Sequence, residues 1–313
     1  MTSGAPRAIA MVGATATGKT ALAEELATDL DAEIVCCDSR QVFGELEIGT
    51  GKPTPAERRA RSHHLFDALR LGQRASAGWF ARAAAEARDA IRARGRVPLL
   101  VGGSGLYLRA AIQGLAGEPP HDPAARARVR AALAAEGPEA LHRRLATLDP
   151  ATAARLAPRD RQRIARALEV IETSGRPLSW WHAHTRPDAP VESWIVLELV
   201  ERPERLRRRI AARTTWMFEH GLVDETARLA AAGRTEALRD LRAIGYDEAL
   251  ALLAGTLTRE GAERAVNLRT AQLAKRQRTW FRHQIDALRI DAALGAPERR
   301  ARAHEAIASS SSR

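Results

Sequence analysis

The segment Gly13-Ala14-Thr15-Ala16-Thr17-Gly18-Lys19-Thr20 constrains the fold of this chain more than any other. It satisfies the phosphate-loop pattern Gly-x4-Gly-Lys-Thr, and its surroundings supply the context that the pattern needs. Ala8-Ile9-Ala10-Met11-Val12 is a short apolar run that reads as a buried strand. After the loop, Leu22, Leu26 and Leu30 with Ala23 and Ala27 recur at helical spacing. Strand, glycine loop and helix in that order turn backbone N–H groups and the positive end of a helix toward one anion. Lys19 is expected to neutralise phosphate charge and Thr20 to ligate Mg²⁺.

The rest of the chain repeats the alternation. Glu33-Ile34-Val35-Cys36-Cys37 reads as a second strand, ending at Asp38-Ser39-Arg40-Gln41. Helical spacing from Trp79 to Arg94 leads to Val97-Pro98-Leu99-Leu100-Val101, then to Gly102-Gly103-Ser104-Gly105 and a helix over Leu106–Ile112. Trp194 to Val200 is a further strand. The prediction is an α/β fold, a P-loop NTPase-like parallel sheet flanked by helices. Ligands of such sheets collect at the carboxyl ends of the strands, where the phosphate loop, Asp38–Gln41 and Gly102–Gly105 would converge. From position alone Asp38 suits a general base or a helix cap equally. Between Gly117 and Pro190 the character changes to Ala- and Arg-rich helices without a strand. The expected organisation is therefore 1–117 as the first part of the α/β core, 118–190 as an all-helical insertion, 191–300 as the second part of the core with C-terminal helices, and 301–313 as a disordered tail.

Composition narrows the class less than the motifs do. The net charge of +11 favours a polyanionic partner, but the chain is rich in Ala and Arg throughout, so charge alone does not decide for nucleic acid. Only three of the 49 basic residues are lysines, at 19, 52 and 275. A compact ammonium and a planar guanidinium are not interchangeable beside phosphate. No apolar run reaches the ~18 residues of a spanning helix, and Met1–Arg7 does not read as a signal peptide. Cys36 and Cys37 are adjacent, point to opposite faces of a strand and form no disulfide framework. A cytoplasmic monomer without membrane association is expected.

From Asp38 the sequence reads Asp-Ser-Arg-Gln-Val-Phe-Gly-Glu-Leu-Glu-Ile-Gly-Thr-Gly-Lys-Pro. With the phosphate loop it resembles the tRNA dimethylallyltransferase (tRNA isopentenyltransferase) family, over about Ala8 to Arg282. His63-His64-Leu65-Phe66-Asp67, Val101-Gly102-Gly103-Ser104-Gly105-Leu106-Tyr107, the run Asp160–Val170, Gly245-Tyr246 and Lys275-Arg276-Gln277-Arg278-Thr279-Trp280-Phe281-Arg282 carry the same resemblance. It implies transfer of a dimethylallyl group from its diphosphate to the exocyclic amine of the adenine just 3′ of the anticodon. By the resemblance, Asp38 takes a proton from that amine. Lys19, Thr20 with Mg²⁺ and Arg213 hold the departing diphosphate together with the loop 13–20, and Ser104 sits near the flipped adenine. The tRNA anticodon stem-loop is expected on Asp38, Ser39, Arg40, Gln41, Ser104, Arg126, Gln162, Arg163, Ile164, Ala165, Arg166, Arg242, Ala243, Ile244, Gly245, Tyr246, Asp247 and Lys275 to Arg282. Ala14, Thr17, Phe43, Ser62 and Ser104 depart from the family's usual residues without touching Asp38, Lys19 or Arg213. The chain shows no zinc-finger extension like that of eukaryotic relatives, so the resemblance is to the bacterial form.

Other features have plainer readings. Trp180 and Trp181 fit packing within the insertion better than base stacking. His63 and His64 lack partners at metal-ligand spacing and read as structural. The run Arg205 to Arg209 reads as a solvated helix face. Two alternative functions stay open on the residues alone: a small-molecule or nucleoside kinase using ATP on the same loop, and a non-catalytic RNA-binding protein.

Overall fold

The computed structural model describes residues 8–115, 119, 121–185 and 194–311. They form two compact units, Met1–Ile112 with Val191–Arg313 and Gln113–Pro190.

Alternation within the strands sets the layers of the first unit. In β1 (Ala8–Gly13), Ile9 and Met11 enter one apolar core while Ala10 and Val12 enter the other. β2 (Ala32–Cys36), β4 (Val97–Gly102) and β5 (Trp194–Val200) divide in the same way, with Ile34, Leu99 and Leu197 on the first side and Val35, Leu100 and Val196 on the second. Strands buried on both faces belong in a parallel sheet covered by helices. With the edge strands β3 (His63–His64) and β6 (Leu288–Asp291), the six strands of the sheet are all parallel, in the order β3-β2-β4-β1-β5-β6, with Ile9 lying between Leu99 and Ile195. The phosphate loop therefore leaves the middle of the sheet.

Helix α1 (Lys19–Asp29) covers the first face through Leu22 and Leu26. On the second face lie α3 (Ala77–Ala93), with Phe80 and Ile91, and α4 (Gly105–Gln113), with Leu108. Residues of α9 (Pro203–Glu219), α10 (Leu222–Ala231), α11 (Thr235–Leu241), α12 (Tyr246–Leu253) and α13 (Arg259–Gln284) extend that core. Between β2 and α3 the chain makes a 3₁₀ turn at Ile48–Thr50 and α2 (Pro55–Ala60), which Thr54 and Glu57 close with a capping box.

Three features of this unit differ from the sequence reading. β3 (His63–His64) and β6 (Leu288–Asp291) add edge strands where none was expected. The third is α14 (Ala296–Ser311), which replaces the disordered tail expected from residue 301. Its Ala303 is fully buried in the first core, Arg300 and His304 pair with Asp29 of α1, and the Ser309 and Ser310 hydroxyls bond back to the Ala306 carbonyl. Tertiary contacts thus hold a segment that its serine-rich end would not hold alone. Ser312 and Arg313 lie outside the described residues.

The second unit is helical, as its composition suggests: α5 (Pro123–Leu148), α6 (Pro150–Ala153), α7 (Arg161–Ser174) and α8 (Leu178–His184). Helix α5 is broken at Gly137 into two halves, the second opening at Pro138. Val129, Leu141, Leu145, Ile164 and Leu168 form the core of this unit. Buried Asp149 accepts from the N–H groups of Thr152 and Ser179, both at 3.0 Å, and so ties α6 to α8. Helix α8 carries the tryptophan pair. Trp180 meets Trp181 edge-on and stacks on His184 at 4.5 Å, and Trp181 donates to Ser174, in keeping with packing within the unit. Among the described residues no helix is long and apolar enough to cross a membrane.

Candidate active site

At the end of β1 the chain turns through the phosphate loop, and Gly18 takes a φ of +95° immediately before α1 starts at Lys19. An L side chain is strained in that conformation. Within the loop, the Thr17 hydroxyl donates to the Ala14 carbonyl at 2.9 Å and Lys19 Nζ donates to the same oxygen at 2.7 Å. The loop is also clamped from outside. Thr15 N–H donates to Gln277 Oε1 at 2.9 Å, and Gln277 Nε2 donates to the Gly103 carbonyl at 2.9 Å. One α13 side chain thereby fixes the phosphate loop against the loop after β4. A helical turn on, Trp280 lies against Gly105, where an added Cβ would stand 2.3 Å from the indole.

The loop after β2 is fixed to the same neighbour. Ser39 N–H donates to Ser104 Oγ at 2.9 Å, and Ser104 N–H donates to the Cys37 carbonyl at 3.2 Å. Asp38 Oδ1 accepts from Arg40 N–H at 2.8 Å, which sets the direction of the carboxylate. Gln41 Nε2 reaches the carbonyls of Thr50 and Gly51 at 3.1 and 3.2 Å. The 3₁₀ turn that carries those carbonyls is anchored below by Glu225. This carboxylate accepts from Glu47 N–H at 3.1 Å, from Ile48 N–H at 2.9 Å and from the Tyr246 hydroxyl. Lys52, with its side chain fully buried, donates to the Phe43 carbonyl at 2.8 Å and pairs with Asp67 at 2.6 Å. It ties the segment after Asp38 to the residues following β3. The two cysteines are free and buried, and burial raises both thiols well above their ordinary range.

These loops surround a cavity of about 400 Å³. Thr15, Lys19, Thr20, Asp38, Arg209, Arg213 and Gln277 line its polar part, and Ile34, Phe66 and Val101 contribute apolar wall. Arg213 donates to Thr15 Oγ1 at 3.3 Å and to the Thr50 carbonyl at 2.9 Å. Burial lowers Lys19 to about 8; Asp38 opposes that shift, while Arg213 and Arg209 add to it. Burial also lowers Arg213, again against the pull of Asp38. The cavity thus gathers Lys19, Arg209 and Arg213 around Asp38, with Glu24 also on its lining, in surroundings where charge is costly unless matched. It can take an anion on the phosphate-loop side and a proton on the Asp38 side.

The residues expected on the basis of resemblance fall into three groups. Gly13 to Thr20, Asp38, Gln41, Arg213 and Gln277 border or build the cavity. Ser104 does not line it; its hydroxyl fixes the Asp38 loop. Arg163, Arg242, Lys275, Arg276, Thr279, Arg282 and Gln162 are exposed on their own units, and Arg126 and Arg166 stand partly exposed beside Glu169. The third group requires correction. Ile164, Ala165, Ala243, Tyr246 and Phe281 have buried side chains, so these pack the cores rather than face an RNA. Gly245 is buried too, its N–H donating to Glu248 at 2.8 Å, and Ile244 packs against the same core. Arg40 is largely inward, donating to the Leu241 carbonyl at 2.9 Å. Asp247 pairs with Arg269 at 2.8 Å, and its own burial raises its carboxyl above the usual range.

Among the lining residues that escaped the sequence reading, Arg209 and His63 carry the most chemistry. Arg209, placed there on a solvated face, lines the cavity; its spacing of four from Arg213 on one helix was the available signal. His63, read as structural, also reaches the cavity wall, with Nε2 2.8 Å from Glu24 and Nδ1 2.9 Å from the Arg61 carbonyl. Among the described residues no group of three His, Cys, Asp or Glu is arranged to hold a metal ion.

The IPP transferase family matches residues 41–284, and the isopentenyl transferase family matches residues 6–74. The tRNA dimethylallyltransferase of Bradyrhizobium sp. (strain ORS 278) is 44% identical over 280 residues, 89% of this chain and 91% of the relative. That of Xanthomonas campestris pv. campestris (strain 8004) is 45% identical over 315 residues, covering 97% of this chain and 94% of its own length. Among solved structures, the tRNA isopentenylpyrophosphate transferase of Bacillus halodurans superposes with a TM-score of 0.70 at 32% identity, covering 97% of this chain and 96% of the other. A eukaryotic dimethylallyltransferase solved acting on tRNA gives a TM-score of 0.75 at 25% identity, over 92% of this chain and 74% of its own. The chain therefore belongs to the tRNA dimethylallyltransferase family of prenyltransferase enzymes.

Proposed function

We propose that this enzyme transfers the dimethylallyl group of dimethylallyl diphosphate to the exocyclic N6 amine of the adenine 3′-adjacent to the anticodon, in tRNAs reading codons that begin with U. The observation that carries the reading is the meeting of Asp38 with the phosphate loop, Lys19 and Arg213 in one cavity. In the reaction the bond between the allylic carbon and its diphosphate oxygen breaks, the bond from N6 to that carbon forms, and the Asp38 carboxylate takes the N6 proton. Positive charge grows on carbon and negative charge on the departing oxygen. Lys19, Arg213 and the N–H groups of the phosphate loop stabilise the latter without reorganising. Gln277 and Ser104 hold the two loops at a fixed separation, so that base and leaving group flank the reacting carbon.

The donor set fits Mg²⁺. The cavity offers the Thr20 hydroxyl and the Asp38 and Glu24 carboxylates, with no cluster of three carboxylate, His or Cys ligands among the described residues, and Mg²⁺ is commonly held by one or two protein oxygens, substrate phosphates and water. Thr20 would hold the ion, which when bound supplies charge neutralisation to the diphosphate. Exposed Arg163, Arg242, Lys275, Arg276 and Arg282 would take the RNA phosphates, and the target adenine must leave its stack to reach a buried base.

The test is transfer of label from dimethylallyl diphosphate to unmodified tRNA by the purified enzyme, with ATP as the competing substrate. Label in the nucleoside next to the anticodon is expected, with a loss of about 10²–10⁴ in rate for Asp38→Asn and tRNA affinity largely retained. Phosphoryl transfer from ATP with no prenylated tRNA would overturn the reading.

A further inference from the structure

Arg209 has no role in the chemistry described so far, yet its position is specific. It precedes Arg213 by four residues on α9, so the two side chains share one helix face a turn apart. Arg213 enters the cavity beside Thr15. Arg209 lies over the other end of the phosphate loop, where a Cβ added to Gly18 would stand 2.9 Å from its Nη2. That is the junction at which the loop becomes α1 and its N–H groups point outward.

What holds Arg209 there is equally specific. Glu201, the first residue after β5, has a side chain with no exposure to solvent. Its Oε1 accepts from Arg202 N–H at 2.9 Å. Its Oε2 is buried without a hydrogen-bond partner, 3.7 Å from both Arg209 Nη1 and Arg205 Nε. A buried carboxylate oxygen left in that state is costly unless charge compensates it. The ion pair compensates at a distance that engages the charge of the guanidinium without consuming its N–H donors. Arg209 Nη2 meanwhile stays beside Gly18 of the phosphate loop.

We propose that Arg209 is a third cation contacting the departing diphosphate, alongside Lys19 and Arg213, and that Glu201 is its positioning residue. The inference rests on the reading of the cavity as a diphosphate site. The full-length enzyme is titrated with inorganic pyrophosphate, by calorimetry and by inhibition of transfer. Arg209→Gln is expected to weaken pyrophosphate binding roughly tenfold to a hundredfold, as for loss of one charge-assisted hydrogen bond, with tRNA affinity unchanged. Arg209→Lys, which keeps charge but not the planar fork, should recover only part of it. Glu201→Gln should give a smaller loss, and the double variant Arg209→Gln/Glu201→Gln should be no worse than Arg209→Gln alone, because the carboxylate acts only through the guanidinium. Wild-type pyrophosphate affinity in Arg209→Gln, with weakened binding in Arg213→Gln, would overturn the role of Arg209 alone. Additive losses in the double variant would overturn the role of Glu201. Wild-type affinity in Lys19→Gln and Arg213→Gln as well would overturn the diphosphate site itself.

Discussion

Replacing Lys19 with methionine is expected to stabilise the fold while removing activity. Burial lowers the Lys19 ammonium from 10.5 to about 8, which corresponds to about 3 kcal/mol of destabilisation at neutral pH. Methionine keeps most of the stem and removes the charge. It also removes the bond from Nζ to the Ala14 carbonyl, which returns about 1 kcal/mol of that gain. The net gain is about 2 kcal/mol, or a rise in Tm of roughly 3 °C at pH 7 for a chain of 313 residues. The pH dependence has a definite sign. Between about pH 8 and 10.5 the folded enzyme holds fewer protons on Lys19 than the unfolded chain does, so the wild type gains stability as pH rises through that window. About 2 kcal/mol of the penalty is relieved by roughly pH 9.5, and the two proteins should then melt together. Thermal unfolding of both, at pH 7 and near pH 9.5, gives the comparison. A methionine variant no more stable than wild type at pH 7, or a difference that persists undiminished at the higher pH, would refute the reasoning.

The same titration should appear in catalysis: kcat/KM for dimethylallyl diphosphate should fall on an alkaline limb near pH 8, where Lys19 loses its charge, and a limb only near pH 10 would contradict it. Tyr246→Phe should cost about 1.5–3 kcal/mol in urea unfolding and raise the KM for the diphosphate, because Glu225 also orients the turn that receives Arg213. A loss of tRNA affinity at unchanged stability would show instead that Tyr246 reaches RNA. Gly105→Ala would push a methyl into the Trp280 indole and should destabilise by about 1–3 kcal/mol, read as a drop in Tm; an unchanged Tm counts against that packing. Affinity for tRNA should fall linearly in log–log form with salt, by roughly 0.7–0.9 per phosphate neutralised, and a flat dependence would count against the exposed arginines as the RNA face.

The parts of this molecule that were legible in its sequence are those where one physical demand dominates. β1, β2, β4 and β5 are buried on both faces, so each is a largely apolar run, broken by Glu33 in β2 and Glu198 in β5, and the phosphate loop requires its glycines in a fixed order. The edge strands offered no such signal. His63-His64 is two polar residues, and in Leu288–Asp291 only Ile290 is buried, so neither shows a period. Helix α14 depends on Asp29, far away in the chain, to pair with Arg300 and His304. In the run ending at Arg209, neighbouring arginines are chemically identical, and only the rotation of α9 decides which one turns inward. Gly245-Tyr246 shows the converse difficulty: a motif marks that a residue matters, not whether it touches the substrate or supports what does.

The sheet's two outermost strands are also the shortest, two residues in β3 and four in β6. A parallel sheet must end somewhere, and an open strand edge is a template on which another chain can pair. Here the pairing edges are too brief to hold an added strand, and charge lies beside both: His63 and Arg61 pair with Glu24 at one, and Arg289 pairs with Glu198 at the other. The apolar strands that make the fold robust are all interior. The molecule is thereby protected from edge-to-edge aggregation by the lengths of its strands, with no separate element required to cap the sheet.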